Sequence, residues 1–187
     1  MGALLRDLFL FAVLAAAVTL AASLGAWWFA EGRRLRRTLR RALRARPDAL
    51  LVGLGRGAAL DLARGHVALA WGGGARSALR GLDRLMALEL IADGRVAGRA
   101  SRDDGRRPLD QIGEGVREVV LRFVFDDPRH PDFSVPLWRA QGPPAQGEGP
   151  SPALEAARAW LARAEAILRA ASPPRVRTGA EPEDEED

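Results

Sequence analysis

The chain contains no cysteine, no tyrosine and no lysine, and only two histidines. Without cysteine there is no disulfide, no thiolate metal site and no thiol nucleophile. Without lysine there is no Gly-Lys-Ser/Thr phosphate loop and no Schiff-base lysine. The serines Ser77, Ser101, Ser134, Ser151 and Ser172 stand outside any Gly-x-Ser-x-Gly context and have no evident histidine partner. All 28 basic residues are arginine, which is what a GC-rich genome produces and carries no functional reading. No reaction is identified by these residues.

Charge is also missing from one long stretch. The 23 residues from Leu8 to Ala30 carry no formal charge. As a helix they reach roughly 34 Å at ~1.5 Å per residue, against a hydrocarbon core of ~30 Å. A transmembrane helix over 8–30 is therefore expected, after a short outside N-terminus over 1–7. Thr19 and Ser23 are tolerable there because their hydroxyls bond back to helix carbonyls. Trp27 and Trp28 fall at its end, where amphipathic rings anchor at the headgroups. A cleaved signal peptide is the competing reading, with Ala21-Ala22-Ser23 as small residues, but a run of arginines beyond them opposes export. A buried soluble helix is the third.

That run is Arg33, Arg34, Arg36, Arg37, Arg40, Arg41, Arg44 and Arg46. The positive-inside rule places it in the cytoplasm, giving a single-pass inner (plasma) membrane protein with its C-terminal part inside. A pI near 11.1 suggests nucleic acid in isolation. Beside a span it is explained by topology and by attraction to anionic lipid, so the lipid bilayer, and not nucleic acid, is the expected partner. Residues 31–47 are expected as a basic juxtamembrane helix stopped by Pro47. Leu35, Leu39 and Leu43 form its one apolar stripe, so it can lie on the leaflet, leucines down and guanidiniums on phosphates.

From 48 to 140 the apolar period falls to two. Ala49–Leu54 is a short apolar run. Ala58, Leu60 and Leu62 alternate with Asp61, and Ala63-Arg64-Gly65 supplies a tight turn. Val67, Leu69 and Trp71 return, then Gly72-Gly73-Gly74 breaks the pattern. Leu85–Ala92 turns at Asp93-Gly94 into Arg95–Ser101. Arg117–Phe125 alternates most cleanly, and Asp126-Asp127-Pro128 closes it. Phe133, Val135 and Leu137 make a last strand, which Pro136 marks as an edge. About seven antiparallel strands follow, since no long crossover intervenes.

Residues 141–151 read as a linker. Ser151-Pro152 starts a helix over 152–171, with Leu154, Ala157, Leu161, Ala164 and Leu168 on one face, broadened by Trp160 and Ile167. Ser172-Pro173-Pro174 ends it. Residues 172–187 are too polar and acidic to fold alone. The fold class is thus an N-terminal transmembrane helix plus a mainly-β (α+β) domain closed by a C-terminal helix.

Three segments carry a resemblance. They are Ala59–Leu69, then Leu82–Leu90 with Asp93-Gly94, then Val119–Pro128 with Phe133–Leu137. Together they resemble an uncharacterised bacterial family of pleckstrin-homology-like domains. The resemblance implies a split barrel or sandwich with a capping helix and implies no reaction. It does not imply phosphoinositide binding either, because only Arg56 and Arg64 flank the first strands.

Other candidate sites are weak. Gly53-Leu54-Gly55-Arg56-Gly57 has the wrong third spacing for a dinucleotide loop. His66 is placed opposite Val67 and Leu69, facing solvent. Asp126, Asp127, His130 and Asp132 cluster in a way that can hold a hard cation or zinc, though Asp and Pro at this density make hairpin loops. Asp103-Asp104 sits beside Arg102, Arg106 and Arg107 as loop charge pairing. The acidic tail is read as a solubilising tail, with folding back on the arginine segment to compete with lipid as the alternative. No cofactor, metal or catalytic residue is expected, and the function expected is a membrane-anchored binding or scaffolding module with a protein partner at the membrane. Anionic-lipid sensing is the alternative, and a small membrane-associated enzyme a further one.

Overall fold

In the computed structural model, which describes residues 2–103, 105–107, 115–141 and 149–171, the chain opens with a single helix, α1 (Gly2–Leu43). Side chains at 2–5, 7, 8, 21, 22 and 24–29 lie outside the description, so the anchors expected at Trp27 and Trp28 are not placed. The uncharged run and the basic segment after it form one rod of roughly 63 Å. Gly32 does not interrupt it, because the flanking Leu, Arg and Ala are strong helix formers. The helix ends where Arg44 takes φ 52°, a left-handed terminus, three residues before Pro47.

Nine strands follow among the described residues. The first sheet is the meander β1 (Ala49–Val52), β2 (Gly57–Asp61), β3 (His66–Trp71) and β4 (Arg76–Gly81). The second is built from β5 (Leu85–Ala92), β6 (Arg95–Ser101), β7 (Gly105–Arg107), β8 (Glu118–Phe125) and β9 (Asp132–Arg139), in the order β7-β6-β5-β8-β9. All pairings are antiparallel. The expectation of about seven strands omitted β4 and β7. β4 lacks a run of apolar residues, and β7 is three residues long. β9 is an edge strand, as Pro136 predicted. Asp93 and Gly94 both adopt positive φ, 48° and 78°, as a primed hairpin turn requires.

The strands β1, β2 and β3 are covered on both faces, with β2 buried at every position, while the edge strand β4 is mostly exposed. Ala58, Leu60, Val67 and Leu69 join the main core with the inner face of the second sheet. The opposite face, Ala59, Ala68 and Ala70, is covered by Leu35, Leu39 and Leu43 of α1. The alanines let the helix approach closely. The leucine stripe therefore packs on the domain and does not lie on a leaflet. Its spacing of four marks an apolar face, and only the tertiary fold determines what covers it.

A second helix, α2 (Ser151–Ala171), lies against β5, β6, β7 and β8. Ala153, Ala157, Trp160, Leu161, Ala164 and Leu168 are its buried residues, while Leu154 is half-buried. The Trp160 ring meets Phe123 edge-on at 5.7 Å. The sheets also meet at one edge, where the Leu54 amide donates to the Pro136 carbonyl at 2.8 Å. A Cβ on Gly53 would stand 2.0 Å from that same oxygen, so the close approach needs glycine.

On the outer face of the second sheet, the register aligns Arg99, Glu89 and Arg122 across three strands. Glu89 is 6 % exposed. It is satisfied by Arg122 Nε at 2.8 Å and by Arg99 at 3.6 Å. Paired in this way, a nearly buried carboxylate is tolerated on the sheet.

Replacing Leu39 with alanine is expected to destabilise the domain by about 2–5 kcal/mol. Urea unfolding of the detergent-solubilised full chain would show it. A leucine resting on a membrane surface would leave that transition unmoved.

Candidate functional site

Alternation along β3 and β4 places one row of side chains at the opening between the sheets. The register pairs Leu69 with Ala78 and Trp71 with Arg76, and Arg80 opposite Val67 points the same way. The start of β9 and the β8–β9 loop form the facing wall, through Phe133, Asp132 and His130. Arg56, from the β1–β2 turn, closes one end. The resulting cleft has a volume of about 450 Å³.

Its aromatic and guanidinium groups are organised around each other. The Trp71 and Phe133 rings meet at 6.1 Å and 60°. The Arg56 guanidinium stands 5.6 Å over Phe133 and donates to the Ser134 carbonyl at 3.2 Å. Arg80 is paired with Asp127 and stands 5.2 Å from the Phe125 ring centroid. Arg76 is exposed, and among the described residues no hydrogen bond or ion pair engages its side chain. With Arg80 paired to Asp127, Arg56 and Arg76 face the one lining carboxylate, Asp132, which leaves one positive charge in excess. Flat aromatic edges beside an unengaged guanidinium suit an anionic ligand with a planar or apolar part.

The Asp126–Asp132 loop does not assemble as a metal site. Asp127 is committed to Arg80, and its Oδ1 also accepts the Arg129 amide at 2.9 Å. His130 and Asp132 line the cleft instead, and Asp126 is exposed. Among the described residues, no group of three His, Asp or Glu side chains converges. The Gly53–Gly57 segment leads from strand to strand and never into a helix, so it has no dinucleotide-loop context. His66 is half-buried rather than solvent-facing.

The eight arginines expected at the membrane surface divide by face. Arg34, Arg37 and Arg41 border a groove beside the β3–β4 turn. Arg33, Arg36, Arg40, Arg44 and Arg46 are exposed elsewhere. Asp104, the linker residues 142–148 and the acidic tail 172–187 lie outside the described residues.

Arg76, Arg80 and Trp71 were not picked out from the sequence. The available signal was Arg-Ser-Ala-Leu-Arg at 76–80, in which Arg, Ala and Arg fall on one strand face. It becomes meaningful only once β9 is known to lie opposite. No protein-family model, curated protein or solved structure matches this chain.

The Arg80 hydrogen bond, helped by the Arg129 amide, lowers the Asp127 carboxyl from an ordinary 3.8 to about 2. The folded state thus takes up this proton less readily than the unfolded chain. The stabilisation stands in full above about pH 3.8 and is lost as pH falls through about 2. Asp127→Asn is expected to be less stable than wild type at neutral pH, with the gap closing as pH falls toward 2. Thermal melts at stepped pH check this; a gap that does not change with pH would contradict it.

Proposed function

We propose that this protein is a membrane-anchored binding module without catalytic activity of its own. The observation that carries the proposal is the continuity of α1. One helix contains the uncharged run 8–30 and ends with its leucines buried in the β domain. Within that run every described side chain from Phe9 to Leu20 is exposed, with Phe11 at 75 %. So much exposed apolar surface is unfavourable in water and marks an interaction surface. Among the described residues no helix is long and apolar enough to cross a membrane. Side chains at 21, 22 and 24–29 fall outside that statement, and by sequence the run remains uncharged to Ala30. The full run supports a span, and the arginines after it support a cytoplasmic domain at the inner membrane.

In this arrangement the anchor does more than tether. A flexible linker would let the domain tumble, whereas a helix buried in the first sheet fixes its height and orientation. Confinement to the leaflet raises its effective concentration for membrane-bound partners. The cleft between the sheets offers the site for an anionic segment of such a partner. A set of antiparallel strands followed by one closing helix is the support for a pleckstrin-homology-like domain. β7 and the β8–β9 hairpin beside β5 are departures from a plain seven-strand order. A lipid-sensing role is favoured by the groove bordered by Arg34, Arg37 and Arg41.

The full chain is expected to stay in the pellet after alkaline carbonate washing and to require detergent for release. A reporter active only outside the cytoplasm should be silent when fused at the C-terminus. Carbonate release, or strong reporter activity, would overturn the proposal.

A further inference from the structure

The β3–β4 turn is pressed against α1. Gly72, Gly73 and Gly74 all have positive φ, at 61°, 63° and 91°. Thr38 Oγ1 donates to the Gly74 carbonyl at 2.9 Å, fastening the turn to the helix. A Cβ on Gly74 would stand 3.1 Å from the Leu35 nitrogen and 3.2 Å from Thr38 Oγ1. The turn therefore forms a floor of bare backbone, and the groove beside it, about 300 Å³, is bordered by Arg34, Arg37 and Arg41.

These three arginines follow i, i+3, i+7 spacing and share one helix face. No carboxylate lines the groove, and among the described residues none of the three forms an ion pair. The Glu31 carboxylate lies beside Gly55 and Gly73, at the end of the groove toward Ala30. The turn amides are already committed. Those of Gly73, Gly74 and Ala75 donate to the carbonyls of Gly55, Trp71 and Gly72. With these three amides engaged, an anion here is held mainly by the guanidiniums.

Helix continuity determines where these groups stand relative to the uncharged run. Arg34, Arg37 and Arg41 lie roughly 6, 10 and 16 Å along the axis beyond Ala30. The headgroup layer extends about 5–8 Å from the hydrocarbon edge. Arg34 stands within it, and Arg37 reaches it with its long side chain. Arg41 stands above it and reaches its outer edge with a long side chain that leans back toward the helix N-terminus.

We propose that this groove binds the headgroup of a polyanionic phospholipid. Arg34 and Arg37 clamp one phosphate, and Arg41 takes a second anionic group of the same lipid. The proposal rests on the anchored reading above and deepens it. It replaces a uniform basic patch by one selective face of the helix.

The test reconstitutes the full chain in phosphatidylcholine nanodiscs carrying a few per cent of cardiolipin or phosphatidylglycerol. Lipid retained on the released protein is read by native mass spectrometry. Reconstitution is itself the check on anchoring, since a chain that does not insert is absent from the nanodisc fraction before any lipid is counted. The groove predicts retention of cardiolipin over phosphatidylglycerol at matched charge. Arg34→Gln/Arg37→Gln/Arg41→Gln should weaken it at least about 30-fold. Arg36→Gln/Arg40→Gln/Arg46→Gln, with the same charge change away from the groove, should retain it. If the groove triple variant does not accumulate, Arg37→Gln alone should cost several-fold. Equal loss in both triple variants, or equal retention of the two lipids, would overturn the proposal by reducing it to bulk charge. Displacement of cardiolipin by millimolar inorganic phosphate would assign the groove to a soluble anion and overturn it as well.

Discussion

The docking of three leucines onto a face of alanines is the contact on which the remaining architecture depends. Leu35 and Leu39 are fully buried and Leu43 nearly so, against Ala59, Ala68 and Ala70. Large side chains on the sheet would hold the helix off, and small ones on the helix would leave a void. With leucine on one side and alanine on the other, the two surfaces come together closely enough to bury all six side chains. The sheet thereby acquires cover on both faces. Its other face is free to build the main core with the second sheet and α2. α1 also becomes an extension of the domain, so whatever surrounds residues 8–30 has a fixed relation to the β-strands.

This relation gives the β3–β4 turn its position. The turn is drawn against α1 by Thr38, and its glycines permit an approach that any side chain would block. On one side it borders the arginine groove. On the other, Trp71 and Arg76 lead from it into the cleft between the sheets. Two basic cavities thus flank one turn, and both belong to the end of the domain nearest the proposed anchor. Charge is distributed accordingly. Glu89 with its two arginines and Asp127 with Arg80 are paired on the sheets. By contrast, Arg76 and the groove arginines have no ion-pair partner among the described residues. Paired charges hold structure together, and unengaged guanidiniums remain available to a ligand.

Much of the fold was legible along the chain. Alternation marked β2, β3, β8 and β9, and the Asp93-Gly94 turn marked β5 and β6 on either side of it, because period two and positive φ are properties of the local backbone. The face of α2 was legible for the same reason. β4 and β7 were not, since edge strands bury little and need no apolar pattern. Trp160 was read as broadening a face, yet it is a core residue against Phe123. Of the site, only His130 and Asp132 had been singled out, and for a different chemistry. The groove joins residues 34–41 to 72–75, and the cleft joins Arg56 and residues 69–80 to 130–133, a proximity that no local pattern encodes.

By itself the sequence determined the elements. These are a helix with an uncharged half and an arginine half, strands with one apolar face, a closing helix, and the absence of thiol and lysine chemistry. Those follow from composition and short-range periodicity. Only the tertiary structure decided that the two helical halves are one rod, that the leucine stripe faces a sheet, and which arginines are left unengaged. An apolar stripe has the same spacing whether it meets lipid, water or an alanine face, so its partner is a property of the whole fold.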